Sequence, residues 1–97
     1  MNITIVGLRY GQTRHVAKAC EGVADLKFVD ADRAETSFPE SDAVILMTKF
    51  IHHIWTQAAY QVFPRERVHL HHGGIKKLVR RIKRIAGGNN GVRRIPT

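Results

Sequence analysis

The sequence predicts a small three-layer α/β domain with a four-stranded, mostly parallel sheet and about three helices. The first observation behind this prediction is that apolar runs of strand length alternate with segments of helical period, as in strand–helix–strand units. The second is size and composition, since 97 residues with 43% apolar and 25% charged residues suit one globular domain with a single core.

The chain opens with a predicted strand, a loop and a helix. Residues 2–6 form a short β-branched run that stops at Gly7. Residues 7–13 contain two glycines and predict a loop, after which Thr13 is a suitable N-cap. The helix that follows has an apolar stripe made of Val16, Ala17, Ala19, Cys20 and Val23.

Two further strands follow, separated by an irregular connection. Residues 26–29 predict the second strand, whereas residues 30–42 are polar and are interrupted by Pro39. Residues 43–47, Ala-Val-Ile-Leu-Met, are the most continuously apolar run, as expected for a central strand that is buried on both faces. The expected strand order is flavodoxin-like, 2-1-3-4.

The second half of the chain predicts two helices around the fourth strand. Residues 51–63 form a helix that Pro64 ends, and residues 68–71 form the strand. The stripe expected to face the sheet on the first of these helices consists of Ile51, Ile54, Trp55, Ala58 and Val62. The corresponding stripe on the last helix consists of Ile75, Leu78, Val79, Ile82 and Ile85.

Residues 1–86 are predicted to form the domain, which ends in a basic amphipathic helix over residues 75–86. The run Gly-Gly-Asn-Asn-Gly at residues 87–91 predicts the end of this helix, because glycine and asparagine favour helix C-termini. Residues 87–97 are then expected to be a flexible basic tail.

The net charge of +8 is confined to the end of the chain. Residues 1–74 carry eight Lys or Arg and eight Asp or Glu, whereas residues 75–97 carry eight cations and no carboxylate. These cations are Lys76, Lys77, Arg80, Arg81, Lys83, Arg84, Arg93 and Arg94. Such segregation predicts a phosphate backbone, an anionic membrane or an acidic protein as the partner.

Nucleic acid is the partner that this charge favours. Cations without an intervening anion on one helix repel each other, and a polyanion offsets that repulsion. RNA or single-stranded DNA is favoured over duplex DNA, because the sequence has no helix-turn-helix or zinc-finger pattern. The alternative is an adaptor or inhibitor that docks on an acidic protein. No membrane binding is expected, since the apolar face of the helix has no aromatic anchor.

The stretch Asp-Ala-Val-Ile-Leu-Met-Thr at residues 42–48, followed by His52-His53 and later by His71-His72-Gly-Gly, resembles a known family. This is an uncharacterised bacterial family of small Rossmann-like domains, whose third strand runs Asp-x-Val-Ile-x-x-Thr and continues to a Ser-His pair. The resemblance covers residues 42–84 and implies the fold. His52 stands where the family has serine, so no hydroxyl role is carried over to that position, and the family implies no activity.

In open α/β sheets the ligand crevice lies outside the carboxyl ends of the strands. Glycines there allow backbone N–H groups to approach phosphate. We therefore predict a crevice for phosphate or nucleotide, including a cyclic oligonucleotide, although paired glycines are equally typical of plain turns. The candidate crevice residues are Gly7, Arg9, Gly11, Thr13, Thr48, Lys49, His52, His53, His71, His72, Gly73 and Gly74.

His53 and His72 are the candidates for acid–base cleavage of a phosphodiester near Thr48. The alternative is that the histidines only donate hydrogen bonds in a polar crevice or at a homodimer interface. No metal site is predicted, because adjacent histidines diverge on a helix and no His-Glu-x-x-His or Cys-x-x-Cys pattern occurs. No cofactor is predicted, and the pattern does not establish enzymatic activity.

Cys20 is the only cysteine. A lone cysteine excludes an intramolecular disulfide and favours a reducing compartment, so the cytoplasm is the expected location. Residues 1–6 lack the basic start and long apolar run of a signal peptide, and no stretch approaches the roughly 18 apolar residues of a membrane span.

Overall fold

The computed structural model describes residues 1–32 and 36–94, with the side chains of all of these except residues 10 and 88–94. Four strands form one sheet, namely β1 (Asn2–Val6), β2 (Asp25–Val29), β3 (Ala43–Met47) and β4 (Val68–His71). All three strand pairs are parallel, and the strand order is β2-β1-β3-β4. The predicted α/β fold, its four-stranded sheet and its strand order are thereby confirmed.

Three helices complete the fold, namely α1 (Tyr10–Ala19), α2 (His53–Val62) and α3 (Ile75–Arg94). Short 3-10 turns occupy Thr48–Phe50 and Arg65–Arg67. Side chains of α1 and α3 pack on one face of the sheet and side chains of α2 pack on the other, so the domain has three layers. The chain changes face between β1 and β3, and this is the place where a parallel sheet of this type opens a crevice.

Both faces of the sheet contribute to the core because successive side chains of a strand point to opposite sides. Every residue of β3 is buried, which confirms the prediction of a central strand. The layer beneath α1 and α3 includes Ile3, Ile5, Ile45, Val16, Leu78 and Ile82. The layer beneath α2 includes Val6, Val44, Leu46, Trp55, Ala59 and Phe63.

Trp55 holds α2 and the connection before β3 together. Its side chain is 1% exposed, and its indole N–H donates a hydrogen bond to the carbonyl of Ala31 over 3.0 Å. The ring of Phe38 meets the rings of Trp55 and Phe63 edge to face, with centroids 5.6 Å apart in both pairs. Aromatic pairs in this geometry add to the stability gained from burial alone.

The start of α1 differs from the prediction. Arg9 is the N-cap and its backbone N–H donates to Oε1 of Gln12 over 3.1 Å, so the helix begins at Tyr10. Gly11 and Thr13 therefore lie in the first turn of the helix and not in a loop. The signal in the sequence is Gln12, which stands three residues after the N-cap, where a glutamine closes a capping box.

The buried side of α1 is narrower than the predicted stripe. Val16 and Cys20 are fully buried as predicted, whereas Ala17, Ala19 and Val23 are exposed. Residues four apart lie one above the other on a helix. Val16 and Cys20 therefore form a single line of side chains that packs against the sheet.

On α2 the sequence prediction selects the wrong line of side chains. Trp55 is buried as predicted, but Ile54 is 51% exposed and Val62 is 61% exposed, and Ala59 takes the buried position instead. Two apolar lines of four-residue spacing lie about 100° apart on a helix, so periodicity alone does not separate them. The bulky indole of Trp55, bonded to Ala31, decides which line faces the sheet.

The last helix is longer than predicted. α3 continues to Arg94, whereas the sequence predicts that this helix ends at residue 86. Glycine costs about 1 kcal/mol in a helix but leaves the backbone hydrogen bonds intact. Proline does break a helix, and the first proline after the start of α3 is Pro96. Residues 95–97 lie outside the described residues. Although α3 is long, neither it nor another helix in the described part of the chain is apolar enough to cross a membrane.

Candidate functional site

The structure divides the predicted crevice into two clefts. The switch-point cleft, of about 790 Å³, lies between the ends of β1, β2 and β3 and is lined by the predicted residues Gly7, Arg9, Thr13, Lys49 and His52. The basic cleft, of about 470 Å³, lies beside β4 and α3 and is lined by His71, His72, Gly73, Lys77, Arg80, Arg81 and Arg84. The two sets of predicted residues are therefore not parts of one pocket.

Several predicted residues line neither of these clefts. They are Gly11, Thr48, His53, Gly74, Lys76 and Lys83. The side chains of Arg93 and Arg94 lie outside the described residues. His53 and His72, the candidate catalytic pair, are consequently not brought together in either cleft.

The turn Thr48–Phe50 separates the two clefts. The hydroxyl of Thr48 donates a hydrogen bond to the carbonyl of His71 over 3.1 Å and lies 2.6 Å from Nδ1 of His72. Because a hydroxyl carries one proton, Nδ1–H of His72 is the donor in the second bond. The exposed His72 ring thus keeps Nε2 available for a ligand. On the other side of the turn, Lys49 and Phe50 line the switch-point cleft.

Four cations of α3 share one face of the helix in the basic cleft. Arg80, Arg81 and Arg84 lie three, four and seven residues after Lys77, which places all four within an arc of about 100° around the helix axis. None of the residues that line this cleft is acidic. The cleft therefore has a strongly positive potential and suits an anionic ligand.

Arg81 also has a structural role in the basic cleft. Its side chain is half-buried, and a guanidinium N–H donates to the carbonyl of Leu70 on β4 over 2.9 Å. β4 is an edge strand, and a bonded carbonyl there is not free to pair with another chain. Lys77, Arg80 and Arg84 are exposed and are the cations best placed to meet a ligand.

His71 is the buried wall of the basic cleft, at 4% exposure. Burial lowers the pKa of its imidazole below the usual value, although the hydrogen bond between Nε2 and the carbonyl of Gly74, at 3.2 Å, opposes this shift. The positive charges of Arg81, His72 and Lys77 lower the pKa of His71 further. The ring is thus favoured in its neutral form, in which Nε2–H donates to Gly74.

We expect the stability of the domain to decrease as the pH falls below about 6.5, the value for a histidine in an unfolded chain. Burial lowers the folded-state pKa of both His71 and His69, and Arg81 adds to the shift in each case. Between the two pKa values the unfolded chain binds more protons, so this contribution is complete above about 6.5 and is lost as the pH falls through the folded-state values. Urea unfolding at about pH 7.5 and about pH 5.5 measures the loss.

The double variant H69Q/H71Q is expected to show a smaller pH dependence of the urea midpoint than the wild-type chain. His15→Gln is the matched control, because it removes an exposed histidine of α1 and should leave the dependence unchanged. If H69Q/H71Q showed the same pH dependence as the wild-type chain, the assignment of the stability loss to His69 and His71 would be contradicted.

Gly7 lines the switch-point cleft and is itself buried. This residue has φ +104°, and a Cβ there would lie 2.8 Å from Cγ2 of Ile51 and 3.1 Å from Cβ of Met47. Both the conformation and the space therefore require glycine. In the same cleft the guanidinium of Arg9 lies 5.7 Å from the centroid of the Phe50 ring.

Two carboxylates of the switch-point cleft are not among the predicted site residues. Asp30 and Asp32 follow β2 and line the cleft opposite Lys49 and Phe50. Oδ1 of Asp30 accepts the backbone N–H of Asp32 over 2.9 Å, which orients its carboxylate. Their position directly after β2 could have indicated them, because β2 lies beside β1 in this strand order. The sequence pattern predicts residues 30–42 only as an irregular connection.

Within residues 1–32 and 36–94, no three His, Cys, Asp or Glu side chains are grouped so that they could hold a metal ion. No family model, no curated protein and no solved structure matches the chain. Membership in the Rossmann-like family that the sequence resembles therefore stays a prediction. The function is therefore inferred from the geometry of the two clefts.

Proposed function

We propose that this protein binds nucleic acid, with RNA or single-stranded DNA as the preferred form, through the basic cleft. The observation that carries the proposal is the grouping of four α3 cations with His71 and His72 in a cleft without an acidic lining residue. In the absence of a ligand these charges repel each other, and a phosphate backbone offsets that repulsion while releasing condensed counterions.

The exposure of the cations supports this proposal. Lys77, Arg80 and Arg84 are exposed, and Leu78 and Ile82, which are fully buried, hold the opposite side of α3 against the sheet. The cations are therefore presented on a rigid support. Residues 77–84 extend for about 10 Å along the helix, so several phosphates can be contacted at once.

A single strand suits this surface better than a duplex. α3 lies lengthwise on the sheet with its apolar side buried, and its cations form the wall of a concave cleft. Duplex recognition commonly inserts a helix into the major groove, whereas single strands follow a positively charged groove. His72, with Nε2 available beside the cations, adds a hydrogen-bonding group at the same wall.

Fluorescence anisotropy with labelled single-stranded RNA, single-stranded DNA and duplex DNA tests the proposal. We expect micromolar or tighter binding of the single strands at about 50 mM salt. If about five phosphates are contacted, binding should weaken about 100-fold at about 200 mM salt, because the logarithm of affinity falls by about 0.7 per contacted phosphate for each tenfold rise in salt.

Polyglutamate of matched charge is the control for an acidic protein partner. Polyglutamate binding as tight as RNA binding would favour the adaptor or inhibitor alternative and would contradict the proposal. Absence of binding to any nucleic acid at about 50 mM salt would also contradict it, since electrostatic binding is strongest there.

A further inference from the structure

The switch-point cleft is not used by the proposed nucleic-acid function. It shares no lining residue with the basic cleft, and the turn Thr48–Phe50 stands between them. Its volume of about 790 Å³ lies within the range of roughly 300–1,000 Å³ that is typical of small-molecule sites. A cleft of this size lies at the switch point of the parallel sheet, which is where sheets of this type bind ligands.

The lining of the switch-point cleft combines three kinds of group. Arg9 and Lys49 are exposed cations, Asp30 and Asp32 are carboxylates, and Phe50 is an aromatic ring that is 41% exposed. Cations alone would suit any anion, and carboxylates alone would suit a cation or a sugar. The combination suits a ligand that carries an anionic group, hydroxyl groups and a flat apolar part.

Gly7 follows β1 directly and lines the cleft together with Arg9 and Asp30. A side chain at this position would meet Ile51 and Met47, so glycine lets the end of β1 pack closely against these residues. The cationic and the acidic sides of the cleft are therefore brought to the same strand end.

We propose that the switch-point cleft binds a ribonucleoside 5′-phosphate, with the phosphate at Arg9 and Lys49, the ribose hydroxyls at Asp30 and the base against Phe50. Arg9 and Lys49 provide charge-assisted hydrogen bonds to phosphate oxygens. The Asp30 carboxylate, oriented by the N–H of Asp32, accepts from vicinal hydroxyls. The Arg9 guanidinium lies 5.7 Å from the centroid of the Phe50 ring, so the base stacks on the part of this 41% exposed ring that Arg9 does not cover.

The inference does not depend on nucleic-acid binding by α3, so the two proposals can fail separately. The probe is adenosine 5′-monophosphate, titrated into the full chain at about 150 mM salt with isothermal calorimetry and amide NMR shifts, since exposed charges are largely screened there. We expect saturable binding, with shifts centred on residues 7–9, 30–32 and 49–52. Adenosine and ribose 5-phosphate should each bind at least about tenfold more weakly, because each lacks one of the three groups.

The double variant D30N/K49Q tests the assigned residues without changing the net charge. Asparagine at position 30 can still accept the N–H of Asp32, so the local turn is kept. We expect affinity for adenosine monophosphate to fall at least about tenfold. The matched control D25N/K27Q exchanges one carboxylate and one cation of β2, both exposed and outside this cleft, and should bind as the wild-type chain does.

Three results would overturn the proposal. The first is the absence of saturable binding up to about 10 mM ligand, since a site of this kind should bind more tightly than that. The second is binding that D30N/K49Q leaves intact. The third is binding that is lost when Lys77, Arg80 and Arg84 are neutralised, because the phosphate would then occupy the basic cleft. A 2′-deoxy ligand that binds as well as the ribonucleotide would overturn the placement of the ribose at Asp30.

Discussion

Replacing Lys77, Arg80 and Arg84 together by glutamine is expected to weaken single-stranded RNA binding about 100-fold at about 0.1 M salt. Each contact between a cation and a phosphate of a single strand contributes about 0.7 to the slope of log affinity against log salt, so three lost contacts reduce that slope by about 2. The three side chains are exposed, and the helix keeps its buried side, so the fold should be unaffected. Anisotropy titrations over a range of salt concentrations measure both quantities.

A second triple variant separates a specific surface from net charge. Arg14, Lys18 and Lys27 are exposed cations of α1 and β2 outside the basic cleft, and their replacement by glutamine removes the same charge. This control should bind single-stranded RNA with an affinity within about threefold of the wild-type value. It should also keep most of the slope of log affinity against log salt. Equal loss in both variants would mean that affinity follows net charge, and the basic cleft would not be the binding surface.

The second large effect is expected from Leu78→Ala, which should lower the free energy of unfolding by about 2–5 kcal/mol. Leu78 is fully buried between α3 and the sheet, beside Ile82 and Ile45. Because small domains have total stabilities of about 5–15 kcal/mol, this loss is a large fraction of the whole. It should also reduce RNA binding near the unfolding midpoint, since the cations of α3 are positioned by this contact.

Urea unfolding followed by circular dichroism measures the effect of Leu78→Ala. Leu78→Met keeps most of the buried volume and is expected to cost less than about 1.5 kcal/mol. Lys76→Ala, at an exposed position of the same helix, should change stability by no more than about 0.5 kcal/mol. A Leu78→Ala variant as stable as Lys76→Ala would show that α3 is not held to the sheet by this side chain.

The strands were predictable because their signal is local. β3 is a continuous apolar run, and burial on both faces requires that pattern, so its bounds agree with the prediction at both ends. The helix faces were harder to predict. Trp55 and Ile54 are both apolar and adjacent, and only the hydrogen bond from Trp55 to Ala31 and the packing of Phe38 decide which one is buried.

The ends of the helices were also hard to predict from the sequence. Arg9 is not a common N-cap, so the start of α1 depends on a contact with Gln12 that a propensity argument does not emphasise. The glycines after Ala86 lower helix propensity without preventing the helix, and α3 continues through them. Nucleation is the costly step of helix formation, so a helix that has already formed can extend through residues of low propensity.

For the functional site, the sequence by itself determined which chemical groups are available, and the tertiary structure decided which of them meet. Charge counting is enough to find the basic helix, because six cations fall within residues 76–84 of one element. The two clefts are different, since Thr48 and Lys49 are neighbours in the chain, yet Thr48 is hydrogen-bonded to His71 and His72 beside the basic cleft whereas Lys49 lines the switch-point cleft. Their separation depends on the pairing of Met47 with His71 between β3 and β4. Likewise, Asp30 and Lys49 line the same cleft because β2 lies beside β1 and β1 beside β3. Distances between elements follow from strand order and packing, and a linear pattern of residues does not encode them.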